Sequence, residues 1–217
     1  MPKVKSVAVA KIPPSKTRKL QAEEARARII TAALTLFASR GFDGASMPQI
    51  AKLANASVPL VVYYFQNKDT LWEAAIEKAV EQFDARLKEL VKQKDSATER
   101  FRQVVTALVK ASTEFPEFHR LMLLESHEDS PRLDWLCNRF AKRHHKTMIE
   151  IVKNAQQEGG VCKIDPERLL HAVVGMATIS SQAAEFKKIA RKNLFSATEV
   201  KKTVEAIEQL VFITQRQ

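Results

Sequence analysis

The chain is predicted to be all-α, with an N-terminal three-helix head followed by a larger C-terminal helical bundle. Three observations predict this. Apolar residues recur at steps of three and four in one segment after another along the 217 residues, the period of helices with one buried face. Glycine is scarce, with five residues at 41, 44, 159, 160 and 175, which leaves little scope for the tight turns of a sheet-rich fold. The positive charge is also concentrated: residues 1–70 hold 11 Lys and Arg against 4 Asp and Glu, a net of +7 within a whole-chain +10. Such a balance calls for a polyanionic partner, nucleic acid or an acidic membrane surface.

Taken in order, residues 1–21 read as an extended basic arm, with Pro13-Pro14 blocking a helix. Lys11, Lys16, Arg18 and Lys19 would lie along phosphates or enter a minor groove, or be simply solvated. The head follows over 22–82. Ile30, Ala33, Leu34 and Phe37 form the stripe of a helix near 23–39, which Gly41 ends as a left-handed residue with Phe42 folding back. Ser46 and Gln49 form a capping box for a short helix near 47–54.

The next segment, "SVPLVVYYF", has the composition of a strand, yet a strand here would have no partner and Pro59 would remove a ladder donor. A helix over 58–65 resolves both points, with Ser57 as N-cap and Pro59 in the first turn, where amides lack intrahelical acceptors. Val61 and Phe65 then face inward, while Val58, Val62 and Tyr63 face outward and should touch something. Asn55 in the link is suited to a left-handed turn, so 47–66 reads as a helix-turn-helix.

Beyond it lie helices near 68–92, 97–113, 117–127, 131–157, 166–190 and 197–214, about nine in all. Ser96 with Glu99 and Ser196 with Glu199 mark two N-termini as capping boxes. Ser130-Pro131 and Asp165-Pro166 mark two more, and Gly159-Gly160 ends the 131–157 helix. Residues 83–217 form the second domain. In its 166–190 helix, Ala172, Gly175, Ala183 and Ala184 would allow close approach of another helix, in a second copy or within one subunit.

The run "ARIITAALTLFASRGFDGASMPQIAKLANASVPLVVYYFQNKDTLWEAA" resembles the DNA-binding domain of TetR-type transcriptional regulators. The resemblance rests on Phe37 with Gly41-Phe42, Ile50-Ala51, Ser57, Tyr64-Phe65 and Lys68-Asp69-x-Leu71. It covers about residues 24–82, and the later helices are similar in architecture only. Two positions depart from the pattern: Asn55 replaces the usual turn glycine, and Val62 replaces a tyrosine whose hydroxyl reaches phosphate in relatives.

The resemblance implies a sequence-specific DNA-binding regulator, most simply a ligand-responsive repressor that binds a palindromic operator as a homodimer. The 47–54 helix would cross the DNA backbone and the 58–65 helix would enter the major groove. Ser46 and Ser57, at helix N-termini, favour phosphate besides capping. Lys68 matches a phosphate-contacting lysine. Tyr64 matches a backbone-contacting position, or is a packed ring. Base contact is assigned to Gln49, Pro59, Leu60 and Tyr63, since apolar side chains read thymine methyls and glutamine pairs with adenine. A small-molecule effector would sit among the C-terminal helices, with Phe118, Met122, Trp135, Phe140, His144, Met148 and Met176 as candidate lining. Each of these is equally a core residue. The 68–92 helix would act as the lever between effector and DNA.

A nucleoid-type DNA-binding protein without an effector is one alternative. A helical-bundle enzyme is another, and it finds little support. The sequence has no glycine-rich phosphate loop, no nucleophile elbow and no His-Glu-x-x-His. His119, His127, His144 and His145, with Glu125, Glu128 and Asp129, invite a metal reading, but Glu-x-x-His is absent. No cofactor and no metal site are therefore expected. Cys137 and Cys162 fit buried, reduced thiols of a cytoplasmic protein. No membrane span or secretory leader is evident.

Overall fold

The computed structural model describes residues 14–92 and 95–213. Most of the basic arm, 1–13, lies outside them, as does Thr214 at the end of the last predicted stripe. Among the described residues eleven α-helices build the chain, and the only β element is one isolated antiparallel bridge, Val161 to Phe212.

Helix α1 (Pro14–Gly44) starts well before the predicted boundary. The expectation of an extended arm fails over 14–21 because Pro14 sits in the first turn, where a missing N–H breaks no intrahelical bond. The regular helix ends at Gly41 (φ 71°, ψ 175°), and Phe42 stacks on Phe37 with centroids 5.8 Å apart, as predicted. Helix α2 (Met47–Leu53) and helix α3 (Val58–Phe65) are joined through Asn55 at φ 50°. Helix α4 (Lys68–Leu90) leaves the head and buries Leu71, Trp72, Ala75, Ile76, Ala79 and Val80.

The bundle comprises α5 (Ala97–Glu114), α6 (Pro116–Glu125), α7 (Pro131–Leu136), α8 (Lys142–Gln157), α9 (Pro166–Ala177), α10 (Ala183–Ala190) and α11 (Ala197–Val211). Its apolar interior is not separate from the head. Phe118 and Leu121 of α6 and Leu136 of α7 join Phe37, Ile50, Phe65 and Trp72 in one core. A second core unites Phe101, Val104 and Val105 of α5 with Val152 of α8, Val173 of α9 and Ile207 and Val211 of α11. Phe83 of α4 packs against both.

Two long helices of the sequence reading are interrupted. The 131–157 helix contains a π-helical turn at Cys137–Ala141. The extra residue shifts the register, so Leu136 takes the core position and Cys137 is only half-buried. The 166–190 helix stops at Thr178, followed by a 3₁₀ turn, Ile179–Gln182. Buried hydroxyls hold this break. Ser180 Oγ donates to Ser112 O at 2.8 Å, and Ser112 Oγ lies 2.8 Å from Ala177 O, a carbonyl no longer in a regular helix. Both thiols proved half-buried rather than buried. In the boxes at Ser96 and Ser196 only the serine half forms. Glu99 turns instead to Arg102 at 3.5 Å and Glu199 to Lys202 at 3.1 Å.

The turn after α8 docks on the start of α5. Glu158 accepts from Thr98 Oγ1 at 2.6 Å and from the Thr98 and Ala97 amides at 2.8 Å, bonds that hold its carboxyl below its ordinary range. The close approach requires Gly160, because a Cβ there would lie 2.2 Å from Thr98 Oγ1. Gly160→Ala is expected to destabilise the fold by about 1–3 kcal/mol, read from urea unfolding midpoints. An unchanged midpoint would contradict the packing described.

Candidate nucleic-acid interface and effector cavity

Local sequence presents α3 at the surface of the head. Val61 and Phe65, one turn apart, are fully buried, and that anchoring turns Val58, Val62 and Tyr63 outward at 37%, 44% and 78% exposure. Tyr63 meets Tyr64 edge-on, with centroids 5.3 Å apart, which limits the rotation of an otherwise exposed ring. Pro59 is exposed beside them and Leu60 half-buried. An apolar outward face of this kind suits contact with base methyls and sugars rather than water.

Capping occupies the polar groups nearby. Ser46 Oγ accepts from Gln49 N at 3.4 Å while Gln49 Oε1 accepts from Ser46 N at 3.1 Å, the predicted reciprocal box. Gln49 is exposed, and its amide N–H₂ remains directed by that box. Ser57 Oγ accepts from Leu60 N at 3.3 Å.

Two residues expected on phosphate are engaged inside the protein. Tyr64 is half-buried and donates its hydroxyl to Ala22 O at 3.2 Å. Lys68 Nζ donates to Phe42 O at 3.0 Å and Ala45 O at 3.2 Å, and lies 4.2 Å from the Phe42 ring centroid. Its ammonium therefore satisfies carbonyls where the chain turns between α1 and α2, with one proton left over. The sequence reading missed Arg28, whose Nε donates to Ala54 O at 3.4 Å and so closes α2 from α1.

In the bundle, α4, α5, α6, α8 and α9 surround a cavity of about 380 Å³. Of the predicted lining residues, Phe118, Met122, Phe140, His144 and Met148 reach it. The other two do not. Trp135 packs edge-on against Trp72 at 5.5 Å, and Met176 lies against the second core. The π-helical turn contributes directly, since Phe140 and Ala141 line the cavity beside Leu136 of α7.

Polar groups are few in this apolar cavity. His144 lies 2.7 Å from Asp84 and 2.9 Å from Phe140 O. His119 is buried, its Nε2 has no hydrogen-bond partner, and burial lowers its pKa from the ordinary 6.5 to about 4. His119, His145, His171, Ser126 and Thr178 were not predicted as lining. His119 follows Phe118 and precedes Met122 by three, a helical spacing that offered a signal. His145 and His171 come together only when α8 packs on α9. Among the described residues, those two and Glu167 form a cluster whose ligand atoms lie within 4.8 Å of one another and could hold a metal ion. Glu125, a metal candidate in the sequence, is instead buried against Arg132 at 3.1 Å.

A wider open groove of about 550 Å³ runs between α1 and α4, rimmed by Glu23, Arg26, Glu77, Lys78 and Glu81. Its charged rim makes it a poor site for an apolar molecule.

Family models match both the head and the bundle. The family model of bacterial regulatory proteins, tetR family, matches residues 29–75. The model of the tetracyclin repressor-like C-terminal domain matches residues 101–211. Among curated proteins, the chain is similar to the HTH-type transcriptional regulator RutR of Escherichia coli, 25% identical over 145 residues, 67% of this chain and 68% of that one. It is also similar to the HTH-type transcriptional repressor NicS of Pseudomonas putida, 27% identical over 109 residues, 50% of this chain and 51% of that one. Among solved structures, a bacterial regulatory protein in the tetR family from Rhodococcus superposes with TM-score 0.67 at 20% identity, over 84% of this chain and 96% of that one. The hemolysin II transcriptional regulator HlyIIR superposes with TM-score 0.64 at 23% identity, over 85% and 97%.

Two outcomes follow from this geometry. Tyr63→Ala should change base preference at a cost of roughly 1–3 kcal/mol on the preferred DNA, whereas Val61→Ala should lower the melting temperature and leave base preference intact. Binding titrations on preferred and scrambled DNA, with melting curves, separate the two. His119 should also make the fold acid-sensitive. A histidine held neutral to about pH 4 lets the unfolded chain bind a proton first, so stability falls as pH drops from 6.5 toward 4. The loss is at most about 3 kcal/mol, and His119→Leu should remove it in unfolding measured across that window. An unchanged pH slope in that variant would refute the assignment.

Proposed function

The chain belongs to the tetR family of bacterial regulatory proteins and is a helix-turn-helix transcriptional regulator, and from that premise we propose that it is a ligand-responsive repressor acting as a homodimer on a palindromic operator. The observation that carries this reading is the continuous core. The helix that presents Val58, Val62 and Tyr63 shares its buried residues with Phe118, Leu121 and Leu136, residues that also form or adjoin the cavity wall. A molecule in the cavity that moves α6 relative to α4 therefore moves the head, and it shifts DNA affinity only by its difference in affinity for the two arrangements.

The effector has the chemistry of its cavity. It is a mainly apolar molecule fitting about 380 Å³, with a neutral hydrogen-bonding group, because His119 is uncharged at neutral pH and His144 is already paired with Asp84. Among DNA contacts, Tyr63, Pro59 and Gln49 read bases, and the N-termini at Ser46 and Ser57 meet phosphates. Lys68 and Tyr64 act chiefly by fixing the head's shape.

For the dimer, we assign the exposed apolar residues Ile189 on α10, Leu210 on α11 and Ile213 just beyond it. Ala172, Gly175 and Ala184 are exposed as well, and a Cβ on Gly175 would meet no atom within 4 Å. Two heads related by a twofold axis would then meet two half-sites.

The test is selection of bound genomic fragments in vitro, followed by titration of the selected DNA with a panel of apolar compounds. One class should weaken binding by roughly 5–150-fold, the range of ordinary allosteric coupling. Leu210→Glu should give a monomer by light scattering and reduce operator affinity. Fragments with no shared palindrome would favour the nucleoid reading, and a Leu210→Glu protein that stays dimeric would remove the assigned interface.

A further inference from the structure

Packing of α8 on α9 brings together three side chains that the regulatory reading does not use. His145 comes from α8, and Glu167 and His171 stand one turn apart on α9. A ligand atom from each lies within 4.8 Å of the others. His145 Nε2 is 2.5 Å from Glu167 Oε2, and the two imidazole centroids are 5.8 Å apart. We propose that these residues form a binding site for a divalent first-row transition metal ion at the rim of the effector cavity.

The chemistry of the donor set selects the ion. Two imidazoles and one carboxylate suit Zn²⁺, Co²⁺ or Ni²⁺, whereas Mg²⁺ and Ca²⁺ demand oxygen ligands. The His171 tautomer is already set: its Nδ1 lies 2.8 Å from Glu167 O, a carbonyl that accepts the ring proton and leaves the Nε2 lone pair free. Ligand atoms at metal–nitrogen and metal–oxygen distances of about 2.1 Å stand roughly 3.4 Å apart in a tetrahedron. Closing from 4.8 Å needs only side-chain rotation, and all three residues are exposed or half-buried and so able to rotate. His144, the neighbour in sequence, is excluded by its bonds to Asp84 and Phe140.

Three protein ligands leave a tetrahedral ion one open position. His145 and His171 both line the cavity, so that position faces it or the adjoining solvent. The ion would pin α8 to α9 beside the effector. The site stands independently of the regulatory function, because it rests on the α8–α9 contact alone.

Equilibrium dialysis of the untagged full-length chain against Zn²⁺, and separately Co²⁺, tests this directly. One ion per chain is expected, with a visible Co²⁺ absorption band and a raised melting temperature. His171→Ala and Glu167→Gln should each weaken binding by at least about tenfold, since loss of even an outer-shell partner costs that much. His127→Ala, an exposed histidine elsewhere, should bind as wild type does. Melting curves without metal confirm that each variant is folded. No saturable binding, or equal affinity in the folded His171→Ala and Glu167→Gln variants, overturns the site.

Discussion

The burial of α1 against α4 and α6 is the contact on which the rest of the molecule depends. Phe37 of α1, Trp72 of α4 and Leu121 of α6 are all at most 1% exposed and belong to one core. Interiors of this density do not deform smoothly; they shift between discrete packings. A displacement at α6 therefore passes to the helix-turn-helix without crossing a flexible linker. In the function proposed above, that constraint is what lets a molecule in the bundle's cavity move the DNA head.

Polar contacts reinforce the same junction at the turn between α1 and α2. Phe42 receives Lys68 Nζ and the Arg132 guanidinium, each 4.2 Å from its ring centroid. Arg132 is in turn paired with the buried Glu125. Residues of the head, of α4, of α6 and of α7 thus meet within one cluster. Removing either cation would leave Glu125 or the carbonyls of Phe42 and Ala45 without partners, which is costlier than the loss of the contact itself. This accounts for a lysine next to the DNA surface that is turned inward.

Two imperfect helices border the cavity. The π-helical turn swings Phe140 and Ala141 to the cavity wall, and the break at Thr178 ends α9 where its last turn would otherwise run on past α5. The buried Ser112 hydroxyl donates to Ala177 O at that break, and the Ser180 hydroxyl just beyond it donates back to Ser112 O of α5, so the interruption is tied to α5. On α6, His119 adds a ring nitrogen without a partner, set among Phe83 and Phe118.

The sequence by itself determined the helical class, the helix-turn-helix, the inward and outward faces of α3, and most helix ends. These follow from periodicity, caps and turn residues, which act within a few residues along the chain. Asn55 at the turn, Gly41 at the end of α1 and the box at Ser46 are of this kind. Only the tertiary structure decided that Lys68 and Tyr64 turn inward, that Trp135 and Met176 pack against the two cores while His119 and His171 border the cavity, and that the two long helices break. Four of those outcomes show the dependence on a partner tens of residues away: Phe42 for Lys68, Ala22 for Tyr64, Trp72 for Trp135, Ser112 for the carbonyl at Ala177. Local propensity carries no information about which distant carbonyl or ring will complete a site, because that choice is made when helices pack.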